Sequence, residues 1–433
     1  MGKKVLKVIE LFAGVGGFRL GLEGYMGKSP ISKYKEKINQ KIKFKVKYSN
    51  QWEPSTKIQH ASLIYEKQFG KDGHFNTDMS ELDSNTLCEK CDVLVGGFPC
   101  QDYSVANSLR TSKGLLGKKG VLWWQIERLL TELGNKKPPY IILENVDRLL
   151  KSPVSNRGRD FAVMLSSLND LGYVVEWKIV NASEFGFGQK RKRVFIFGYL
   201  KKTEIYSDSL KYKIENWILE KSILGKSFPG LLKERFDTFE LNGNLEEISR
   251  HQHSNKSKSP FKNTGISLNR KITTCNYVPK ELIMPIKLRS ILINKKLIED
   301  EFWIKKHEEE KWKKEKGGGS KPRKTSNGYE YNFTEGRMPF PDNLDSPART
   351  IITSEGGRSA SRFKHVVQIE DQYRRLTPVE LEKLNMFPED FTKDEKISNT
   401  KRAFLMGNAL VVGIVEKIGI ELSNRIFKYG KDD

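Results

Sequence analysis

The chain reads as an α/β protein, a doubly wound sheet joined to a second, irregular domain. Two observations predict this. Through residues 1–200, short apolar runs alternate with helical patterns, and such alternation builds a parallel sheet covered on both faces. From Lys201 onward the alternation stops and Lys and Asn become frequent.

Each element follows from its own pattern. Apolar runs predict strands at Val5–Phe12, Phe44–Gln51, Asp92–Gly96, Tyr140–Glu144, Tyr173–Val180 and Val194–Tyr199. Helical spacing between them predicts helices at Thr56–Phe69, Leu122–Leu133 and Arg159–Leu171. Farther on, Ile298–Lys316 reads as a highly charged helix and Gly317–Ser320 as a flexible joint. Helical patterning returns at Thr377–Asn385 and Ala409–Ile426. The expected division is 1–200 for the sheet domain, 201–399 for the second domain and its hinge, and 400–433 for a segment returning to the first.

Composition narrows the function. Hydrophobic residues make up 37% and charged residues 30%, a globular rather than disordered balance. No stretch approaches the roughly 20 apolar residues of a membrane span, and the basic N-terminus lacks a signal-peptide pattern. A cytoplasmic protein without a membrane partner is therefore expected. Net charge is +22, which attracts polyanions, nucleic acid first. Of the four cysteines, Cys88 and Cys91 form a CxxC pair. No second Cys/His pair has zinc spacing, so no metal is expected.

The chemistry lies in short segments at predicted strand ends. Phe12-Ala13-Gly14-Val15-Gly16-Gly17 follows the first strand, where a glycine turn lets backbone N–H groups approach a ligand closely. Its spacing differs from the GxGxxG of dinucleotide binders. Glu53, just past the second strand, can accept both hydroxyls of a ribose. Gln51, two residues earlier, is the alternative for that place. Asp78, after a further helix, can bind an adenine amino group.

Cys100 stands in Gly97-Phe98-Pro99-Cys100-Gln101-Asp102-Tyr103-Ser104, directly after an apolar strand. Open α/β sheets place ligands at such ends. A thiolate is the effective nucleophile. The loop carries no histidine base, so the substrate itself must be made electrophilic. Glu144-Asn145-Val146 ends the next apolar run and brings a carboxyl group to the same mouth of the sheet. In Gln189-Lys190-Arg191-Lys192-Arg193 the arginines alternate, so both point to one side of an extended chain.

Taken together, FAGVGG, GFPCQDYS, ENV, QKRKR, RRLTPVELEKLNMFP and GNAL resemble, in order and type, the motifs of the DNA (cytosine-5) methyltransferases. The likeness covers residues 5–200 and roughly 348–420. It implies a Rossmann-like S-adenosylmethionine-dependent fold with a target-recognition domain, of the bacterial restriction-modification type. By position, Cys100 would attack C6 of a flipped cytosine, Glu144 would hydrogen-bond N3 and the exocyclic amine, and Arg193 would hold O2 with Arg191 in support. Phe12, Gly14, Val15, Gly17, Glu53, Asp78, Met79, Pro99 and Leu122 would contact the cofactor. Asn408 and Ala409, in GNAL, would return to it from the C-terminus.

Gln101, Ser104, Arg349, Thr350, Gly356 and Gly357 would lie at the DNA, with Thr350 near the phosphate of the flipped nucleotide. The product would be S-adenosylhomocysteine. A monomer on duplex DNA is expected, with a separately acting restriction endonuclease as its counterpart. One departure is visible: Gly188 stands where the family usually has proline.

Two rival readings remain. An RNA cytosine-5 methyltransferase on the same chassis is disfavoured by the long region 201–373. A catalytically inactive DNA-binding adaptor is disfavoured by intact Cys100, Glu144 and Arg193. Lys137-Pro138-Pro139-Tyr140 is similar to an amino-methyltransferase motif, but it precedes a strand instead of following one.

Overall fold

The computed structural model describes residues 5–25, 43–54, 56–87, 89–98, 122–153, 156–250, 258–324 and 330–429. The chain divides into two compact units. The first comprises residues 1–185, 192–283 and 412–433; the second comprises 186–191 and 284–411.

The first unit is built on a ten-stranded sheet. Its strands are β1 (Leu6–Leu11), β2 (Phe44–Asn50), β3 (His74–Phe75), β4 (Val93–Gly97), β5 (Tyr140–Val146), β6 (Tyr173–Asn181), β7 (Lys192–Leu200), β8 (Asp237–Glu240), β9 (Thr264–Leu268) and β10 (Lys271–Cys275). The spatial order is β3-β2-β1-β4-β5-β7-β6-β9-β10-β8. Strands β1 to β5 pair in parallel, and β7 runs antiparallel to both β5 and β6. The sheet is thus mixed rather than wholly parallel. This reversal positions the site, because the C-terminal ends of β1, β4 and β5 and the N-terminal end of β7 then share one edge.

Helices α2 (His60–Phe69), α3 (Leu122–Glu132) and α4 (Arg159–Asp170) stand close to their predicted places, and a short helix α1 (Gly17–Glu23) follows the glycine turn after β1. Helix α3 buries Trp123, Ile126, Leu129 and Leu130, a helical stripe. These join Phe161, Val163, Leu165, Trp177 and Ile196 in the main core.

Residues 201–283 belong to the first unit, which corrects the boundary expected at 200. The tight hairpin between β9 and β10 turns at Asn269 and Arg270, both with positive φ, and carries the sheet outward from β6. Likewise only Val412 onward returns to the first unit. The helix Val412–Tyr429 packs on α1 so closely that a methyl group on Gly21 would meet Val415 at 2.8 Å. The stretch Asn399–Phe427 is long and apolar enough to pass for a membrane span, contrary to the sequence reading, but 72% of its most apolar window is buried inside the fold.

The second unit has a small core of Ile304, Trp312 and Val366, braced by buried ion pairs. Arg374–Glu380 at 2.7 Å is fully buried, and Arg402–Glu382 lies at 3.0 Å. The charged helix is shorter than expected, Glu309–Lys316, preceded by 3-10 turns. Gly319 begins a strand, Gly319–Lys324, paired with Glu330–Glu335, where a flexible joint was expected. Helix Pro378–Leu384 opens on a capping box between Thr377 and Glu380.

Candidate active site

At the shared edge of the sheet, β5 ends in Glu144 and β7 begins near Arg193. Arg193 Nε lies 2.9 Å from Glu144 Oε1, with both side chains mostly buried. Glu144 Oε2 lies 3.4 Å from where a Cβ on Gly97 would stand, so the glycine at the end of β4 leaves room for the carboxylate. Asn145 Nδ2 donates to the carbonyl of Phe98 at 3.0 Å, and Val146 N–H donates to Asn145 Oδ1 at 2.8 Å. Asn145 thus fixes the last described residue before Pro99 and Cys100, while the Phe98 ring packs against Trp123. Pro99, Cys100, Gln101 and Ser104 lie outside the described residues.

The turn after β1 is held open. Phe12, Gly14 and Gly16 have φ of 52°, 56° and 89°. Among the described residues, nothing lies within 4 Å of a Cβ built on Gly14. Ala13 N–H donates to the carbonyl of Asn50 at 2.9 Å, and Gly14 N–H donates to Gln51 Oε1 at 2.7 Å. Gln51 is buried against the turn, and Asn50 Oδ1 is buried without a hydrogen-bond partner among the described residues. Glu53 is half-buried; its amide donates to Gln59 and its carboxylate accepts from Thr56 at 3.4 Å. Asp78 Oδ1 accepts from the amide and hydroxyl of Ser80, Met79 is buried, and Leu122 opens α3.

Beneath the turn lies a residue that the motif reading passed over. Glu10, within β1, is fully buried and accepts from Arg19 N–H at 3.1 Å and Tyr65 Oη–H at 2.9 Å. Burial pushes its carboxyl up to about 7. Arg19 is the third residue of α1, whose N-cap, Gly16, has no capping side chain. Glu10 supplies the missing acceptor. The signal was a lone carboxylate inside an apolar strand.

The remaining predicted residues lie in the second unit. Arg191 is buried and donates to the carbonyls of Ile351 at 3.1 Å and Gly407 at 3.0 Å. Thr350 Oγ1 donates to the carbonyl of Lys190 at 2.7 Å. Asn408 ends the helix Asn399–Asn408 and is exposed, and Ala409 caps it.

Arg349, expected at the DNA, is turned inward. Its guanidinium pairs with Asp342 at 2.7 and 3.2 Å and donates to the carbonyls of Phe363 and Lys364. Those bonds occupy every nitrogen of the group. Gly356 is needed for packing, since a Cβ there would lie 2.7 Å from Thr400 Cα. The carbonyls of Gly356 and Gly357 both accept from Arg375. Cys91 of the CxxC pair is buried, and burial pushes its thiol up to about 12; Cys88 lies outside the described residues.

A profile of C-5 cytosine-specific DNA methylase matches residues 6–424. The chain belongs to that family. It is 42% identical over 422 residues to the Type II methyltransferase M.Sau3AI of Staphylococcus aureus, covering 96% of this chain and 95% of that protein. It is 27% identical over 457 residues to the Type II methyltransferase M.NlaIV of Neisseria lactamica, covering 96% and 98%. In fold it is similar to the Dnmt2 methyltransferase of S. pombe, with a TM-score of 0.56 at 15% identity, covering 97% of this chain and 98% of that one. The cytosine methylase therefore has the α/β fold and the reaction that its motifs implied: methyl transfer to carbon 5 of cytosine in DNA. Methyltransferases of this family use S-adenosylmethionine in general.

Proposed function

We propose that this methylase modifies a cytosine flipped out of duplex DNA, through a covalent bond between Cys100 and C6. The observation that carries the reading is the Glu144–Arg193 pair at the sheet edge where the Cys100 loop begins. Cys100 Sγ adds to C6, and the electron pair of the C5=C6 bond shifts so that C5 becomes nucleophilic. Glu144, carrying a proton, donates it to N3 and accepts from the exocyclic amine, and Arg193 donates to O2, so the charge gathering on the ring meets fixed donors. S-adenosylmethionine, when bound, supplies the electrophilic methyl group. Loss of the C5 proton to water then returns the C–H electron pair to the C5=C6 bond, breaks the Sγ–C6 bond and releases the Cys100 thiolate. Flipping costs a few kcal/mol of stacking and pairing, and phosphate contacts from a chain of charge +22 offset it.

The first unit fits the cofactor. The open face of Gly14 and the orphaned Oδ1 of Asn50 offer space and an acceptor. Phe12, Val15, Gly17, Asp78, Met79 and Leu122 would line that space. Gln51, on the Gly14 amide, is favoured over Glu53 as the residue serving the ribose. In the second unit Thr350 is assigned to a phosphate and Asn408 to the cofactor. Likeness to Type II methyltransferases supports protection of host DNA from a separate endonuclease.

The test is a duplex carrying 5-fluorocytosine at the target, found beforehand by bisulfite sequencing. Fluorine cannot leave as a proton does, so the wild type should form a stable adduct and Cys100→Ser none. Normal turnover by Cys100→Ser, or methylation of tRNA in place of DNA, would sink the reading.

A further inference from the structure

Four stretches of the second unit converge on two buried amides. Gln189 and Asn385 are fully buried. Gln189 Nε2 donates to Asn385 Oδ1 at 3.0 Å, and Gln189 Oε1 accepts from Ile351 N–H at 3.0 Å. Asn385 Nδ2 donates onward to the carbonyl of Met406 at 2.8 Å. Both groups of each amide are therefore used, and neither can be rotated without burying unpaired polar atoms. Arg191 closes the ring, bonding Ile351 on one side and Gly407 on the other. The backbones are pressed together as well, since a Cβ on Gly407 would lie 2.4 Å from Thr353 N.

Three of the four stretches adjoin a residue with a proposed ligand, and Asn385 ties them together. Gln189 and Arg191 precede Arg193, the holder of the base. Ile351 follows Thr350, assigned to phosphate. Met406 and Gly407 precede Asn408, assigned to the cofactor. Such a packed, fully bonded node has few alternative arrangements, so displacement of one arm strains the others.

We propose that Gln189 and Asn385 are positioning residues that make the base-holding, phosphate-holding and cofactor-returning segments shift as one body, so that cofactor and DNA bind cooperatively through them. The proposal rests on the functional reading above. By linkage, each ligand must then strengthen the other by the same factor.

Isosteric variants test it in the full-length protein. Gln189→Glu keeps the acceptor for Ile351 but sets an oxygen against Asn385 Oδ1. Asn385→Asp sets an oxygen against the Met406 carbonyl. Affinity for the target duplex is measured with and without saturating S-adenosylhomocysteine, and melting confirms that each variant is folded. The wild type should gain about tenfold or more in DNA affinity from the cofactor product, and the variants should lose most of that gain. A folded variant that keeps the full gain, or a wild type with no gain, overturns the proposal. Should both variants fail to fold, hydrogen exchange on the wild type decides. S-adenosylhomocysteine alone should slow exchange in residues 348–353 as well as 405–411, and unchanged exchange at 348–353 overturns it. Failure of the wild type to methylate any DNA would instead refute the functional reading.

Discussion

Arg193 Nε and Glu144 Oε1 face each other at 2.9 Å across the antiparallel pair β5–β7, one strand ending where the other begins. The guanidinium holds the carboxylate before any base arrives. Preorganisation of this kind is the largest single contribution in many enzymes. Glu144→Gln should lower the rate of methyl transfer by about 10²- to 10⁴-fold, the usual range for a positioned acid or base. Arg193→Lys should also fail, because an ammonium cannot reproduce the planar fork. Single-turnover kinetics with DNA binding measured in parallel separates this from a loss of affinity; unchanged rates would remove the pair from the mechanism.

The cofactor turn makes a second, ranked prediction. Gln51→Ala removes the acceptor of the Gly14 amide, at a cost of about 0.5–1.5 kcal/mol, roughly tenfold at most. Calorimetric titration with S-adenosylmethionine should show that loss, and a smaller one for Glu53→Ala. The opposite ranking would return the ribose to Glu53.

Specificity should travel with the second unit. Exchanging residues 284–347 for those of a relative with another target should transfer the methylated sequence, read by genome-wide bisulfite mapping. Exchanging 201–283 as well should give an insoluble protein, because β8, β9 and β10 belong to the main sheet. An active 284–347 chimera that still marks the original sequence would place base readout in the first unit.

A buried lysine gives the protein a pH signature. Lys178 on β6 is fully buried, its Nζ 4.3 Å from the Tyr277 ring centroid and 3.5 Å from the Ile218 carbonyl. Burial pulls its amine down to about 7. The unfolded chain holds that proton up to pH 10.5, so Lys178 costs stability below about pH 7 and the cost is relieved as pH rises toward 10.5. Neighbouring Glu176, pushed by burial up to about 7, adds stability in acid that is lost between pH 4.5 and 7. Lys178→Met should therefore raise the melting temperature more at pH 6 than at pH 10. An equal shift at both would show that folding leaves the proton affinity of the amine unchanged.

Much of this was legible in the sequence, and the failures have physical causes. The predicted strands and helices of residues 1–200 stand within a few residues of their places, because apolar runs at strand spacing can be buried in few other ways. The direction of β7 was not legible, since a strand's own pattern is the same in either direction. Strands β8 to β10 were missed because β8 is half-exposed and the hairpin turns on Asn269-Arg270, without a glycine. At the site, the motifs gave the residue types, but not that Arg349 is consumed by Asp342 or that Gln189 and Asn385 join distant segments. Those partners lie far apart along the chain, and spacing carries no trace of them.

The contact of Gly21 with Val415 bears on when the enzyme can first act. Helix α1, which follows the cofactor turn, finds its partner helix only after the whole second unit has left the ribosome. Domains usually fold in order of synthesis, but this one must wait, its first helix lacking a cover until Val412–Tyr429 arrives. A chain that stops short of Val412 leaves this face of α1 without its covering helix, next to the cofactor turn.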